Sequence, residues 1–284
     1  MNTSQKFARS KSGRFVNILL LSGIAAFMVF PMIFTVSNAF KPLNELFLFP
    51  PKLLVINPTL SNFQDFSILT RELVVPFSRY IFNSVFITFL GVTGQVLIAS
   101  LAAYMISKHN FWGRKVLMET VIISLMFTGT VTAIPSYIVM TKLNLINTQS
   151  SIIIPAFASS MGLFLMKQFI DQIIPDALLE AARIDGAGEL RIYMQIVMPI
   201  CKPAWMTLIV FSFQSLWSNS GGSLIFDEHL KTLPYAFESI TANGLIGRAG
   251  VSAAVALIML IPPIITFVIT QSNVLETMAS SGIK

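Results

Sequence analysis

Long apolar runs separated by short polar intervals dominate the pattern along this chain. A helix that crosses a membrane needs about 20 consecutive, mostly apolar residues. Six blocks meet or approach that length: 15–39, 81–107, 116–140, 150–170, 204–224 and 251–270. The fifth is the weakest, because Gln214, Ser215, Ser218, Asn219 and the pair Gly221 and Gly222 interrupt it. Backbone facing hydrocarbon must be hydrogen-bonded within its own segment, so the far end of this block is expected to fray or to face a polar cavity. Pro262 and Pro263 are expected to kink the last block. Gly91, Gly94, Ala99, Ala102 and Ala103 give the second a small-residue face suited to close helix contact.

Composition agrees with the pattern. Of 284 residues, 54% are hydrophobic and 11% charged, against about 25% charged in ordinary soluble domains. The net charge of +6 comes from dispersed Lys and Arg, not from a patch that would favour nucleic acid. Cys201 is the sole cysteine, and His109 and His229 stand far apart, so neither a disulfide nor a metal-ligand spacing is present. The first apolar run is too long for the core of a cleaved signal peptide and is expected to remain as a span.

Lys and Arg set the orientation. One set of alternate loops holds Lys6, Arg9, Lys11, Arg14, Lys108, Arg114, Lys115, Lys167, Arg183, Arg191, Lys202 and Lys284; the other holds Lys41, Lys52, Arg71, Arg79, Lys142, Lys231 and Arg248. The richer set is expected on the cytoplasmic side, with both termini. The organisation expected is a cytoplasmic N-terminal segment 1–14, a six-helix membrane domain 15–270 and a cytoplasmic tail 271–284. The outer loop 40–80 carries five prolines with Phe47, Phe49 and Phe63. It is too apolar for a disordered linker and is expected to form a folded cover of short pieces.

The loop 171–203 is the chain's most informative stretch. Pro175 and Asp176 suit a helix start, with Asp176 accepting from the first-turn amides. Residues 177–184 are good helix formers, and Gly186 can supply a positive φ. A second helix over 189–197 then returns toward the membrane before Pro199 and Pro203. Small side chains at Ala181, Ala182 and Ala187 would let a partner's backbone approach, and Glu180, Arg183 and Asp185 offer charge for fixing register. A solvated connector would account for this composition equally well; the spacing decides. Glu180-Ala181-Ala182, Asp185-Gly186-Ala187, Ile196 ten positions after Gly186, and Met198-Pro199 resemble the cytoplasmic EAA loop of ABC importer permeases. The one departure is Met198, where that family usually has Leu.

The resemblance covers most of the chain. Residues 143–148 (Leu-Asn-Leu-Ile-Asn-Thr) and 231–236 (Lys-Thr-Leu-Pro-Tyr-Ala) also look like the MalG-type permeases of carbohydrate importers. Ser218 intervenes between Trp217 and Asn219, where the family commonly has Asn directly after Trp, and the tail from Ser272 departs from the maltose-type ending. These features resemble a branch handling oligosaccharides.

The resemblance implies a MalG/MetI-like permease fold in a bacterial cytoplasmic membrane, and a division of labour. A second homologous permease shares the path, a cytoplasmic ABC ATPase dimer carries the ATP and Mg, and an extracytoplasmic solute-binding protein delivers the sugar. Glu180, Ala181, Ala182, Arg183, Asp185, Gly186, Ala187 and Pro199 become the ATPase-coupling residues. The chain has no G-x-x-x-x-G-K-[ST] phosphate loop and is not expected to be an enzyme or to hold a cofactor itself. An importer for a non-sugar solute is the alternative, followed by an ion-coupled secondary transporter, which would need acidic residues at the span centres.

Substrate contacts are sought among polar residues within the spans. Gln214, Trp217, Asn219, Asn83 and Tyr104 are the candidates, with Gln95 and Thr128 beside them. Interhelical hydrogen bonds and interface anchoring are competing roles for each.

Overall fold

The computed structural model describes the backbone of residues 11–71, 73–242 and 249–281. Lys6, Arg9, Arg248 and Lys284 of the charge count and the closing residues 282–284 lie outside the described residues. Every regular element among the described residues is helical. Four helices are long and apolar enough to cross a membrane, and six crossings result if each of two bent helix pairs is one span. The chain divides into two units, 1–69 with 241–258 and 70–240 with 259–284.

In the first unit, α1 (Lys11–Ala39) exposes apolar side chains along its length, including Phe27 and Met28. Its end is closed over by the cover. The Lys41 ammonium, 2% exposed, donates to Asn38 Oδ1 at 2.7 Å and to the Lys52 carbonyl at 2.6 Å. Glu45, in the short helix α2 (Leu43–Leu46), accepts from the Ile56 amide at 2.7 Å. Asn62, on α3 (Ser61–Arg71), donates to the carbonyls of Ala39 and Lys41. The stretch after the first span is therefore a folded piece with its own buried polar bonds.

The second unit is organised around α4 (Phe77–Lys108), whose 32 residues make a rod of about 48 Å. It packs against α7 (Ser150–Phe157), α8 (Ser160–Ile173) and α12 (Lys202–Trp217). Its small-residue face permits this. A Cβ on Gly91 would collide with Leu216 and one on Gly94 with Phe157, while Ala99 and Ala103 are buried in the main apolar cluster.

The third, fourth and last spans differ from the pattern read in the sequence, and the fifth follows it. The third is two helices, α5 (Arg114–Ser124) and α6 (Gly129–Lys142), meeting at 118°. At 11 and 14 residues they reach about 16 and 21 Å, each short of a bilayer core of about 30 Å. The path still runs from one end of α4 to the other, because Arg114 donates to the Ser107 carbonyl and the Asn147 amide donates to Leu224 O. The fourth is interrupted at Ala158 and Ser159, where the Ser159 hydroxyl caps α8 by accepting from the Gly162 amide at 3.1 Å. The fifth ends at Trp217, followed by Gly221 and Gly222 at φ 81° and 46°. The last, α14 (Ala249–Ser281), runs through Pro262 and Pro263 as one helix and continues past position 270.

Candidate functional site

The EAA segment forms α9 (Asp176–Ile184). It starts at Pro175, not through an Asp176 cap: the Asp176 carboxylate instead accepts from Lys108 Nζ at 2.8 Å, and that bond holds its pKa below the ordinary carboxylate value. The helix ends in a Schellman motif. The Ala187 amide donates to Ala182 O and the Gly186 amide to Arg183 O, both at 3.0 Å, with Gly186 at φ 79°. Only a residue without Cβ adopts that φ freely.

The return leg is α10 (Glu189–Ile192), one π-helical turn (Tyr193–Val197) and α11 (Met198–Ile200). The sequence pattern alone reads this as a regular helix over 189–197. Pro199 accounts for the difference, since it has no amide hydrogen and its ring would clash with the carbonyl of Gln195 in a regular α-turn. The widened turn is closed by the Met198 amide donating to Tyr193 O.

The two faces of α9 have different partners. Leu179 is buried at 2% exposure, and Ala182 and Ala187 pack on the same apolar cluster. Those two alanines therefore serve the protein's own packing, and only Ala181 of the three is open to a partner. Glu180, Arg183, Ile184, Asp185 and Gly186 are exposed, Ile184 at 86%. Arg183 is not a free charge. Its Nε donates to Glu189 Oε1 at 2.8 Å across the Gly186 turn, a bond that raises its pKa above the ordinary guanidinium value.

One helix carries the polar anchors of this loop. From α4, the Tyr104 hydroxyl donates to Glu189 Oε2 at 2.7 Å, and Ser100 and Tyr193 share a bond of 2.7 Å. Ser107 donates to Asp171, and Lys108 donates to the Ile174 carbonyl at 2.6 Å. His109 Nε2 lies 3.2 Å from Glu189 Oε2. The opposite end of α4 holds residues 228–233 in the same way. The Tyr80 hydroxyl donates to Glu228 at 2.6 Å, Asn83 Nδ2 donates to the carbonyls of His229 and Lys231 at 2.9 Å, and Ser84 Oγ accepts from the Leu233 amide. Asn147, at φ 59°, accepts on its side chain from the amides of Phe226 and Asp227.

These bonds reassign two substrate candidates. Asn83 is fully buried and also accepts from Gln149, and Tyr104 is 1% exposed and bonded to Glu189. Both are fasteners at the two ends of α4. Trp217 is buried, stacks on Phe213 at 5.6 Å and donates to the Met259 carbonyl. Gln214 is exposed and does not line the cavity beside Asn219. Asn219 lines that cavity, a space of about 410 Å³ between α4, α7, α8 and α12, together with Gln95, Ser159, Ser212 and Ser215. Thr128 stands at the break between α5 and α6. Sequence reasoning missed Glu189 and Lys108. Glu189 follows the Gly186 turn by three residues, and that proximity was the only local signal.

A helical membrane protein with broken spans, a cavity between α4, α7, α8 and α12, and a long inter-span loop fastened to α4 has the build of a transport permease. Known proteins agree. Residues 95–275 match the family described as "Binding-protein-dependent transport system inner membrane component". Protein LplC of Bacillus subtilis is 30% identical over 76% of this chain and 72% of its own length. The arabinooligosaccharides transport system permease protein AraQ of Halalkalibacterium halodurans is 26% identical over 92% of this chain and 93% of its own. The fold superposes with TM-score 0.78, at 23% identity, on a bacterial ABC transporter involved in the import of the acidic polysaccharide alginate, covering 93% of this chain and 98% of that one. The chain belongs to the binding-protein-dependent transport system inner membrane component family. It is a multi-pass component of the cytoplasmic membrane, and its role is transport rather than catalysis.

Proposed function

We propose that this chain is one permease subunit of an ATP-driven sugar importer, with α9 as the element that docks on a cytoplasmic ABC ATPase dimer. A second, homologous permease completes the path, an extracytoplasmic solute-binding protein delivers an oligosaccharide, and ATP and Mg reside on the ATPase. Both termini and α9 lie in the cytoplasm, in keeping with the Lys and Arg distribution. The substrate assignment draws on the name of AraQ.

The observation that carries the reading is the division of α9 into two faces. Leu179 and Ala182 pack on the protein's own core, while Glu180, Ala181 and Ile184 point outward. An exposed isoleucine beside a carboxylate and a small residue suits insertion into a cleft of another protein. A partner biases a conformational equilibrium only through contacts that differ between the two states. The polar anchors on α4 supply a stiff connection through which such contacts can act on the spans.

The test is reconstitution in proteoliposomes with the ATPase, the second permease and the binding protein. ATP hydrolysis should rise when the binding protein is loaded with sugar, and Ile184→Asp should abolish ATPase co-purification while the permease still inserts. Retention of the ATPase by the Ile184→Asp variant would remove α9 from the interface. Hydrolysis indifferent to sugar would remove the sugar assignment.

A further inference from the structure

The turn between α4 and α5 gathers basic and aromatic side chains at the level of a bilayer's headgroups. The 32 residues of α4 make a rod of about 48 Å against a hydrocarbon core of about 30 Å, so its end at Lys108 and the turn beyond reach the headgroup layer. Trp112 is fully exposed there and Phe111 is 40% exposed, and aromatic rings of this kind gather at membrane interfaces. Phe111 borders a pocket of about 380 Å³ lined by Arg114 and Lys115 at the start of α5, by Lys167 of α8, and by the apolar Ile106, Val116 and Met118. No Asp or Glu lines it. Lys167 is paired with Asp171 at 2.6 Å, but neither Arg114 nor Lys115 has a carboxylate within ion-pair distance among the described residues. Arg114 is instead held in position by donating to Asn110 Oδ1 at 2.8 Å and to the Ser107 carbonyl at 3.2 Å, which leaves other N–H groups of its guanidinium free to donate. Two cations without a carboxylate, beside an apolar wall, point to an occupant that is anionic at one end and apolar at the other.

We propose that this pocket binds the headgroup of an anionic phospholipid, with Arg114 and Lys115 meeting its phosphate and Ile106, Val116 and Met118 lying along the start of an acyl chain. The lipid belongs to the leaflet on the α9 side, because Lys108 and Ser107 fasten Asp176 and Asp171 at this same end of α4. Basic pockets beside span ends recognise anionic headgroups through this combination of charge and apolar surface. A free phosphate ion would meet the same two cations and leave the apolar wall and Trp112 without a partner. A zwitterionic lipid would bring a second cation to a site that already holds two. The site is independent of which solute the protein carries.

The full-length permease is placed in phosphatidylcholine nanodiscs containing a minor fraction of phosphatidylglycerol brominated on its acyl chains near the glycerol or, at the same fraction, phosphatidylcholine brominated in the same way. Bromine quenches nearby tryptophan, and the Trp112 signal is the difference from a Trp112→Phe protein, which keeps Trp205 and Trp217. Trp112 should be quenched at a several-fold lower fraction of the brominated phosphatidylglycerol. The Lys115 side chain makes no bond among the described residues, so Lys115→Gln should fold as wild type. It should weaken the preference about fivefold, the effect of one basic residue near an anionic surface, and Arg114→Gln with Lys115→Gln should remove it. Lys202→Gln, at an exposed position outside the pocket, should leave it unchanged. Equal quenching of wild type by the two lipids overturns the site, and an equal loss in Lys202→Gln replaces it with diffuse surface charge. Inorganic phosphate that removes the preference, where chloride of the same ionic strength does not, assigns the pocket to a soluble anion and overturns the lipid. Loss of ATPase co-purification in Lys115→Gln with unchanged quenching makes the pocket a protein contact and overturns the lipid as well.

Discussion

Gly186 provides the sharpest test of the loop's geometry. The two Schellman bonds, Ala187 amide to Ala182 O and Gly186 amide to Arg183 O, both at 3.0 Å, require the φ of 79° at Gly186. A Cβ built there meets nothing within 4 Å, so a substitution costs backbone strain alone. An L-residue in the left-handed region costs about 1–2 kcal/mol, and Asn tolerates it better than other residues with a side chain. Val, with two γ-carbons, should be the worst. A penalty of that size changes the population of the native turn by a factor of about 5–30. With coupling dependent on a stiff turn, uptake per assembled complex should fall in the order Gly, Asn, Ala, Val, while membrane insertion, carried by spans far from this residue, is unaffected. The assay is uptake in proteoliposomes normalised to permease content, with ATP hydrolysis followed in parallel; uncoupling appears as hydrolysis that no longer drives uptake. A Gly186→Val complex that assembles and transports at the parental rate would refute the reasoning.

Two further outcomes follow from the fasteners on α4. Tyr104→Phe and Glu189→Gln, measured singly and together by thermal melting in detergent, should show a coupling energy of about 1 kcal/mol, because the hydroxyl–carboxylate bond of 2.7 Å joins α4 to the loop; additive effects would mean that this contact contributes nothing. Asn83→Ala leaves the carbonyls of His229 and Lys231 and the amide of Gln149 without their partner. It should cost about 1–3 kcal/mol and expose the segment 228–233 to added protease, and unchanged cleavage would contradict the fastening role.

Much of the fold was legible because the membrane imposes simple rules. Four of the six apolar blocks are long crossings, the small residues of the second span do meet Leu216 and Phe157, and the weak fifth span does end early, at Trp217, with Asn219 beside a cavity whose lining is mostly apolar. The 118° bend in the third segment was not legible. Residues 125–128 are Leu, Met, Phe and Thr, and hydropathy records how apolar a stretch is without recording its direction. The loop was read correctly at Gly186 and less well at its alanines. Residue size suggested that Ala182 and Ala187 awaited a partner, and only the packing of α9 showed them turned inward.

The sequence by itself determined the solvent, the number of apolar segments and the turn at Gly186, since each depends on local composition or on the backbone freedom of a single residue. Tertiary structure decided which polar groups meet. Tyr104 reaches Glu189 across 85 positions and Asn83 reaches Lys231 across 148, while Gln95 and Ser212 come to line one cavity from separate helices. Hydrogen bonds act over about 3 Å, and separation along the chain does not reveal which distant groups folding will bring within that range.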